Sequence, residues 1–272
     1  MMGRLDGKVA VVSGAARGQG RAHAVRLAQE GADIVAFDVC DAFAYTRAPA
    51  ATLGELEETA AQVEALDRRC RVEKLDARDL TGLTALADAA AADFGRVDIL
   101  VVNHGIWTVD RNSWELPEES WQESIDVLLT GAWKVQKAFV PKIIAGGRGG
   151  SVVFTSSVNA VVPQPGAVAY CAAKSGMQML MKVLAHELGP HEIRVNTVNP
   201  GSVDTPIREG GNFEKSLEYW PYVFGQGSRQ VLGGSTERPP SIIADAVAWL
   251  VSDEARFVTG ALIPVDAGRL IW

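Results

Sequence analysis

The sequence predicts an α/β protein, a doubly wound parallel sheet with helices on both faces, and three observations lead there. Short β-branched runs alternate with longer stretches of helical periodicity, the pattern of successive βαβ units. The runs are continuously apolar and do not alternate in polarity, as strands buried on both faces require. Residues able to hold a ligand follow the runs in turn. Gly14, Gly18 and Gly20 come after the first, Asp38 after the second, Asp76 after the third, Asn103 after the fourth, Ser157 after the fifth and Pro200-Gly201 after the sixth. Open parallel sheets bind ligands outside the carboxyl ends of their strands, so this register joins the fold to a site.

In chain order, strands are expected over residues 9–13, 34–38, 71–74, 99–103, 152–155, 194–199 and 262–265, short runs rich in Val and Ile or flanked by turn residues, with polar residues interleaved in 71–74 and 194–199. Helices are expected over residues 20–30, 53–66, 81–94, 120–144, 170–188 and 241–252, where apolar positions recur at helical spacing. Two connections are long and irregular. Residues 39–52 follow the second strand, and residues 206–240, rich in Gly and aromatics, follow the sixth. Connections of that length inside a compact domain are usually functional, so the first is read as an extra loop near the site and the second as a substrate lid. No linker, repeat or charge block interrupts the pattern, and residues 1–272 are expected to form a single domain.

Composition bounds the rest. With 47% hydrophobic and 22% charged residues the chain is globular. A net charge of −7 and a pI near 5.2 argue against nucleic acid and anionic membrane as partners. No run is long enough for a spanning helix, and the first residues, Met-Met-Gly-Arg-Leu-Asp-Gly-Lys, do not read as a signal peptide. Cys40, Cys70 and Cys171 are odd in number and widely spaced, and His23, His104, His186 and His191 lack metal-ligand spacing. The expectation is a cytoplasmic protein without a metal.

The segment Ser13-Gly14-Ala15-Ala16-Arg17-Gly18-Gln19-Gly20 lies between a strand and a helix. Glycines there permit a tight turn and close backbone approach to a pyrophosphate, which the helix N-terminus attracts through its free N–H groups and dipole. A loop that merely turns would use the same glycines. Asp38 adds to the signal: it stands eighteen residues after Gly20, at a strand end where a carboxylate accepts hydrogen bonds from both ribose hydroxyls. It would repel a 2′-phosphate, so NAD is expected over NADP, with Arg17 as the contrary signal.

Tyr170-Cys171-Ala172-Ala173-Lys174 sets a phenol and an ammonium one turn apart on one helix face. Using a free phenolate at pH 7 costs about 4 kcal/mol, which a neighbouring cation reduces. That suits a base removing an alcohol proton as hydride leaves the carbon. Ser157, at the fifth strand end, is positioned to stabilise the same substrate oxygen.

Together these residues resemble the short-chain dehydrogenase/reductase family over nearly the whole chain. The resemblance implies a seven-stranded Rossmann-like parallel sheet and a dinucleotide across its switch point. It implies Ser157, Tyr170 and Lys174 as catalytic, Lys174 also holding a ribose. Gly14, Arg17, Gly18, Gln19 and Gly20 with Asp38 and Val39, Asp76 with Ala77, Asn103 with Gly105, and Pro200, Val203 and Thr205 would hold the cofactor. Relatives pair the helices 120–144 and 170–188 across subunits, implying a homotetramer. The Gly14–Arg21 segment, Asp38-Val39-Cys40 with its long following loop, and Ser252-Asp253-Glu254-Ala255-Arg256 resemble the mycofactocin-coupled, carveol-dehydrogenase-like subgroup. That subgroup oxidises secondary alcohols, often cyclic or terpenoid, with poorly exchanging NAD that a separate redox partner reoxidises.

Two departures stand out. Asp126-Val127-Leu128-Leu129-Thr130-Gly131 carries Leu128 where the family has the Asn of its catalytic tetrad, and Val102-Asn103-His104-Gly105 replaces Asn-Asn-Ala-Gly. The resemblance implies a helix kink at Leu128, whose main-chain carbonyl would hold a water in the proton relay to Lys174, and a leucine lacks the side-chain hydrogen bonds that fix such a kink. His104 is expected to be a bulky filler. Phe213, Tyr219, Trp220, Tyr222 and Phe224 in the lid, with Ile106, Trp107, Val109, Val161 and Val162, suit a hydrophobic alcohol or ketone. Two alternatives stay open: an NADPH-dependent keto or oxoacyl reductase, which Asp38 disfavours, and a catalytically weak NAD-binding module, which Leu128 makes conceivable.

Overall fold

Every strand of the computed structural model, which describes residues 3–224, 230–232 and 238–271, belongs to one sheet. The strands are β1 (Val9–Ser13), β2 (Asp33–Asp38), β3 (Cys70–Lys74), β4 (Ile99–Val102), β5 (Gly150–Thr155), β6 (Ile193–Pro200) and β7 (Leu262–Val265). They lie in the order β3-β2-β1-β4-β5-β6-β7. All pairings are parallel. The order reverses between β1 and β4, and the crevice at that reversal is where such sheets bind ligands.

Side chains of the inner strands β1, β2, β4, β5 and β6 alternate between two cores. The expectation of burial on both faces fails at the edge strands β3 and β7, which are half-buried to exposed because each has a neighbour on one side only. Val11, Val35, Phe37, Leu100, Val102, Val152 and Phe154 pack on one face against α3 (Leu80–Phe94), α5 (Gly131–Gly146) and α6 (Val168–Leu188). Ala10, Val12, Ile34, Ala36, Ile99, Val101 and Val153 pack on the other against α1 (Gly18–Gln29), α2 (Leu53–Glu64) and α9 (Ser241–Val251). Phe37 and Phe139 are fully buried and stack with centroids 6.3 Å apart. Truncating either to Ala should cost about 3–5 kcal/mol.

Helix ends follow local chemistry. Thr52 Oγ1 accepts from Glu55 N–H at 3.2 Å and Glu55 Oε2 accepts from Thr52 N–H at 2.7 Å, a capping box that starts α2 and anchors the end of the 39–52 loop. Asp79 caps α3, and Gly95 ends it at φ 74°.

Two sequence expectations need correction. The continuous helix over residues 120–144 is three segments: α4 (Glu118–Ile125), a π turn over Asp126–Thr130, and α5. Periodicity misses this because one extra residue in a helix barely disturbs its apolar stripe. The stretch 206–240, read as irregular, contains α7 (Asn212–Tyr219) and α8 (Pro221–Phe224), while residues 225–229 and 233–237 lie outside the described part. The Gly210-Gly211 pair suggested a loop, but both glycines take positive φ to turn into α7. A Cβ on Gly210 would lie 1.8 Å from the Arg47 carbonyl, so this segment packs directly on the 39–52 loop. Among the described residues no helix is long and apolar enough to cross a membrane.

Candidate active site

The carboxyl ends of β1, β2, β4, β5 and β6 open into one cleft. Gly14 turns the chain out of β1 at φ 64°, and a Cβ there would lie 2.6 Å from His104 Cα. Gly18, at φ 55°, passes so close to Thr205 that a Cβ would lie 3.3 Å from its Cγ2. The strands' ends thus meet around a backbone cradle that side chains would fill, and α1 begins there with no side chain capping its first N–H groups. Asn103 Nδ2 pins the cradle by donating to Ser13 O at 3.3 Å and Gly14 O at 3.2 Å.

Of the sequence-identified residues, Gly14, Arg17, Gly18, Gln19, Asp38, Val39, Asp76, Ala77, Asn103, Gly105, Ser157, Tyr170, Lys174, Pro200, Val203 and Thr205 all line this cleft. Gly20 does not. It lies beneath the loop, where a Cβ would sit 1.8 Å from Gly14 O, so its absence of a side chain serves packing. Asp38 accepts from Ala16 N–H at 3.1 Å and Cys40 N–H at 3.2 Å while facing the cleft. Arg17 donates to the Pro49 carbonyl and lies 3.8 Å from the Glu55 carboxylate, so its charge is shared with the neighbouring loop. Asp76 is gripped by the Arg78 guanidinium at 2.6 Å, which with the Arg78 N–H outweighs burial and holds its carboxyl below the usual range. These features accommodate a dinucleotide whose adenosine ribose carries free hydroxyls.

The prospective catalytic groups converge. Ser157 lies two residues beyond β5, caps the short turn Val158–Ala160 and accepts from Asn159 N–H at 3.1 Å, which fixes its side chain. Lys174 is buried on α6, donates from Nζ to Thr155 O at 2.7 Å, and lies 5.7 Å from the centre of the Tyr170 ring. Burial pulls the Lys174 amine down to about 7. Removal from water pushes the Tyr170 phenol up to about 12, opposed by its hydrogen bond with Ser157. Hydroxyl, phenol and amine therefore share one desolvated corner, where a charge added beside the phenol has a large effect.

A family model described as Enoyl-(Acyl carrier protein) reductase matches residues 14–269. The chain is 42% identical over 279 residues to (-)-trans-carveol dehydrogenase of Rhodococcus erythropolis, covering 99% of this chain and all of the relative. The solved carveol dehydrogenase of Mycobacterium avium in complex with NAD superposes with a TM-score of 0.92 at 43% identity, covering 99% of this chain and 100% of that one. A short chain dehydrogenase of Mycobacterium paratuberculosis bound to NAD gives 0.94 at 40% identity over the same shares. The chain belongs to the short-chain dehydrogenase/reductase family.

This short-chain dehydrogenase wraps its cleft with the 39–52 loop. Glu123 on α4 accepts from Ala44 N–H and Tyr45 N–H, each at 2.9 Å. Thr46 Oγ1 donates to Trp107 O at 3.2 Å, and the Arg78 guanidinium stands 5.1 Å over the Phe43 ring. Neither Glu123 nor Thr46 carried a sequence signal, because both act across long chain separations.

At the substrate end, Phe213, Ile106 and Trp107 line the cleft as the apolar composition led us to expect. Tyr219, Trp220, Tyr222, Val109, Val161 and Val162 are not among its lining residues. Trp220 instead donates to Arg111 O at 2.8 Å and meets Tyr222 edge-on at 5.9 Å, while Val161 is 57% exposed. The Phe224 side chain falls outside the described part. Polar residues that no motif marked join the wall: Asn159, which donates to Gln164 Oε1, and Arg208 and Arg269.

Both departures lie beside Lys174. Leu128 is completely buried in the π turn, packed with Ile106, Val127 and Ala173. The expectation that His104 is only a filler is corrected: its Nδ1 is 2.8 Å from Ser13 Oγ and its Nε2 is 3.1 Å from Val127 O.

Proposed function

We propose that this chain is an NAD-dependent dehydrogenase that interconverts a hydrophobic cyclic secondary alcohol, terpenoid alcohols included, and its ketone. The observation that carries the reading is the Ser157–Tyr170–Lys174 corner opening into the same cleft as the Asp38 carboxylate. Tyr170 takes the alcohol proton and Ser157 holds the substrate oxygen. With a phenol at about 12, deprotonation at pH 7 costs about 7 kcal/mol on its own. The Lys174 amine, 5.7 Å from the ring centre, lowers that cost in the fraction that carries its proton, about half at pH 7. NAD⁺ held in this cleft would supply the hydride acceptor and a positive charge that favours the phenolate.

Around this corner, the Gly14, Arg17, Gly18 and Gln19 segment would hold the pyrophosphate, with Gly20 supporting the turn from below. Asp38 and Val39 would hold the adenosine ribose, which Asn103 and Gly105 would line, and Asp76 and Ala77 would contact the adenine. Pro200, Val203 and Thr205 orient the carboxamide end. Asp38 with the shared Arg17 charge argues against an NADPH-dependent reductase. Pro206–Arg208 and α7 act as the lid over the substrate, and residues 1–272 act as a single domain.

The loop ties to Glu123 and Trp107 favour slow cofactor exchange, hence reoxidation in place by a separate redox partner. Trp133, Met179 and Val183, exposed on α5 and α6, suit pairing into a homotetramer. Three free cysteines accord with the cytoplasm. The test is a single-turnover absorbance scan with NAD⁺ and a cyclic secondary alcohol such as carveol. Growth of the reduced-nicotinamide band supports the reading. Silence across a varied alcohol panel, with NAD⁺ demonstrably bound, overturns it.

A further inference from the structure

We infer that His104 is a positioning residue of this site: its ring is the polar tie that holds the π turn Asp126–Thr130 against the end of β4, where the wall beside Lys174 forms. Only the kinetic part of its test rests on the dehydrogenase reading.

The backbone creates the need. Gly131 N–H bonds Asp126 O, five residues back, where an α-helix would have used Val127 O. The Val127 carbonyl thereby loses its α-helical donor, and His104 Nε2 supplies one at 3.1 Å. A carbonyl only accepts, so the ring proton sits on Nε2 and Nδ1 is the acceptor. Ser13 Oγ–H donates to Nδ1 at 2.8 Å, and the same oxygen accepts Asn103 N–H at 2.9 Å. The chain of bonds runs in one direction from β4 through β1 and the ring to the π turn. Only the neutral ring completes it, and removal from water, aided by the Lys174 charge, holds the imidazole down to about 4.

The tie bears on the catalytic corner through contacts. Leu128, next to Val127, has no polar atom with which to fasten the turn. A Cβ on Gly105 would lie 3.1 Å from Leu128 Cδ2 and 3.8 Å from Lys174 Nζ, so Gly105 separates the turn from the amine by little more than one atom's width. Tyr170 packs on the cluster that Leu128 fills. Movement of the turn therefore reaches both Lys174 and the phenol. Gly131 completes the fit, because a Cβ there would crowd His104 Nε2 at 3.1 Å.

His104→Leu keeps most of the volume without a donor, and His104→Gln keeps an N–H able to reach Val127 O. With saturating NAD⁺ and a cyclic secondary alcohol, His104→Leu should lower kcat about tenfold, the scale of one lost hydrogen bond. It should shift the pH–rate profile to higher pH, while KM and NAD⁺ affinity stay within about twofold. His104→Gln should keep kcat within about threefold and the wild-type profile. Hydrogen exchange of the 127–131 amides should accelerate in His104→Leu and not in His104→Gln, a readout independent of catalysis. Equal behaviour of the two variants in kcat and exchange, or wild-type kcat in His104→Leu, overturns the inference. Should His104→Leu not fold, Ser13→Ala removes the bond at Nδ1 with the ring still present. Faster exchange of the same amides then supports the tie, and wild-type exchange overturns it. A wild-type protein that oxidises no alcohol defeats the functional reading alone, because the exchange comparison still decides the role of His104.

Discussion

Acidification from pH 7 to 5 should destabilise the cofactor-free protein by about 3 kcal/mol, chiefly through two histidines held neutral. His23 is completely buried, and removal from water, opposed by Asn103, pulls it from 6.5 to about 4. His104 is drawn to about 4 by removal from water and by Lys174, opposed by the Val127 carbonyl and Asp76. Both folded-state values lie below the unfolded one, so between pH 6.5 and 4 the unfolded chain binds more protons. Stability is whole above 6.5 and falls as pH drops through the window. At pH 5 each group contributes a loss of about 2 kcal/mol, and the share of the partly exposed His104 is discounted to about 1. Carboxylates interfere little there: Glu30, held at about 2 by Arg4, gives up its contribution at lower pH. The assay is urea unfolding followed by tryptophan fluorescence at pH 7, 6 and 5. His23→Gln should remove more than half of the pH dependence, whatever it does to stability at pH 7. A wild-type change below 1 kcal/mol, or an undiminished change in His23→Gln, refutes the reasoning.

Three further outcomes follow from the site. Tyr170→Phe should cut kcat by about 10²–10⁴ while calorimetry finds NAD⁺ affinity within a few-fold, since it removes only the proton acceptor. Glu123→Ala frees both loop N–H groups and should speed NADH release in stopped-flow fluorescence by about tenfold, the equivalent of roughly 1.4 kcal/mol; an unchanged rate would show that the 39–52 loop does not gate the cofactor. Leu128→Asn adds an amide to the π turn, and a rise in kcat is expected if the wild type works below its ceiling; unchanged turnover would make the missing amide irrelevant.

The sheet was legible because burial on both faces writes itself into contiguous residues. Val9–Ser13, buried at every position, appears in the structure with the bounds its apolar run suggests, and Leu262–Val265 does so as a half-exposed edge strand marked by its β-branched residues alone. The strand-end residues were legible for a related reason: each reaches the cleft by virtue of its own strand's direction, without help from a distant partner. Asp38, Ser157 and Thr205 needed nothing beyond topology to arrive there. The π turn was not legible in the periodicity, since its extra residue leaves Val127, Leu128 and Ala132 on a plausible helical stripe; only the family resemblance pointed to a kink at Leu128. Nor was the role of Trp220, whose indole points its N–H at Arg111 O and away from any use that composition alone proposes.

Long-range polar contacts explain the remainder. Glu123 reads in sequence as one more acid on an exposed helix, yet it fastens a loop 78 and 79 positions earlier. His104 reads as an oversized residue in a tight turn, yet it bridges 91 positions back and 23 forward. The two departures from the family pattern also become one feature in three dimensions. An apolar Leu128 leaves the π turn without a side-chain tie, and a histidine from the facing strand end donates to the adjoining carbonyl. Leu128 with a small residue at 104 would leave Val127 O without the imidazole donor. If that pairing is functional, the Leu128→Asn and His104→Leu changes should be strongly non-additive in kcat, the amide partly restoring what loss of the imidazole removes. Strict additivity in that double-mutant cycle would mean that the two positions act separately, and the corner would then owe its order to packing alone.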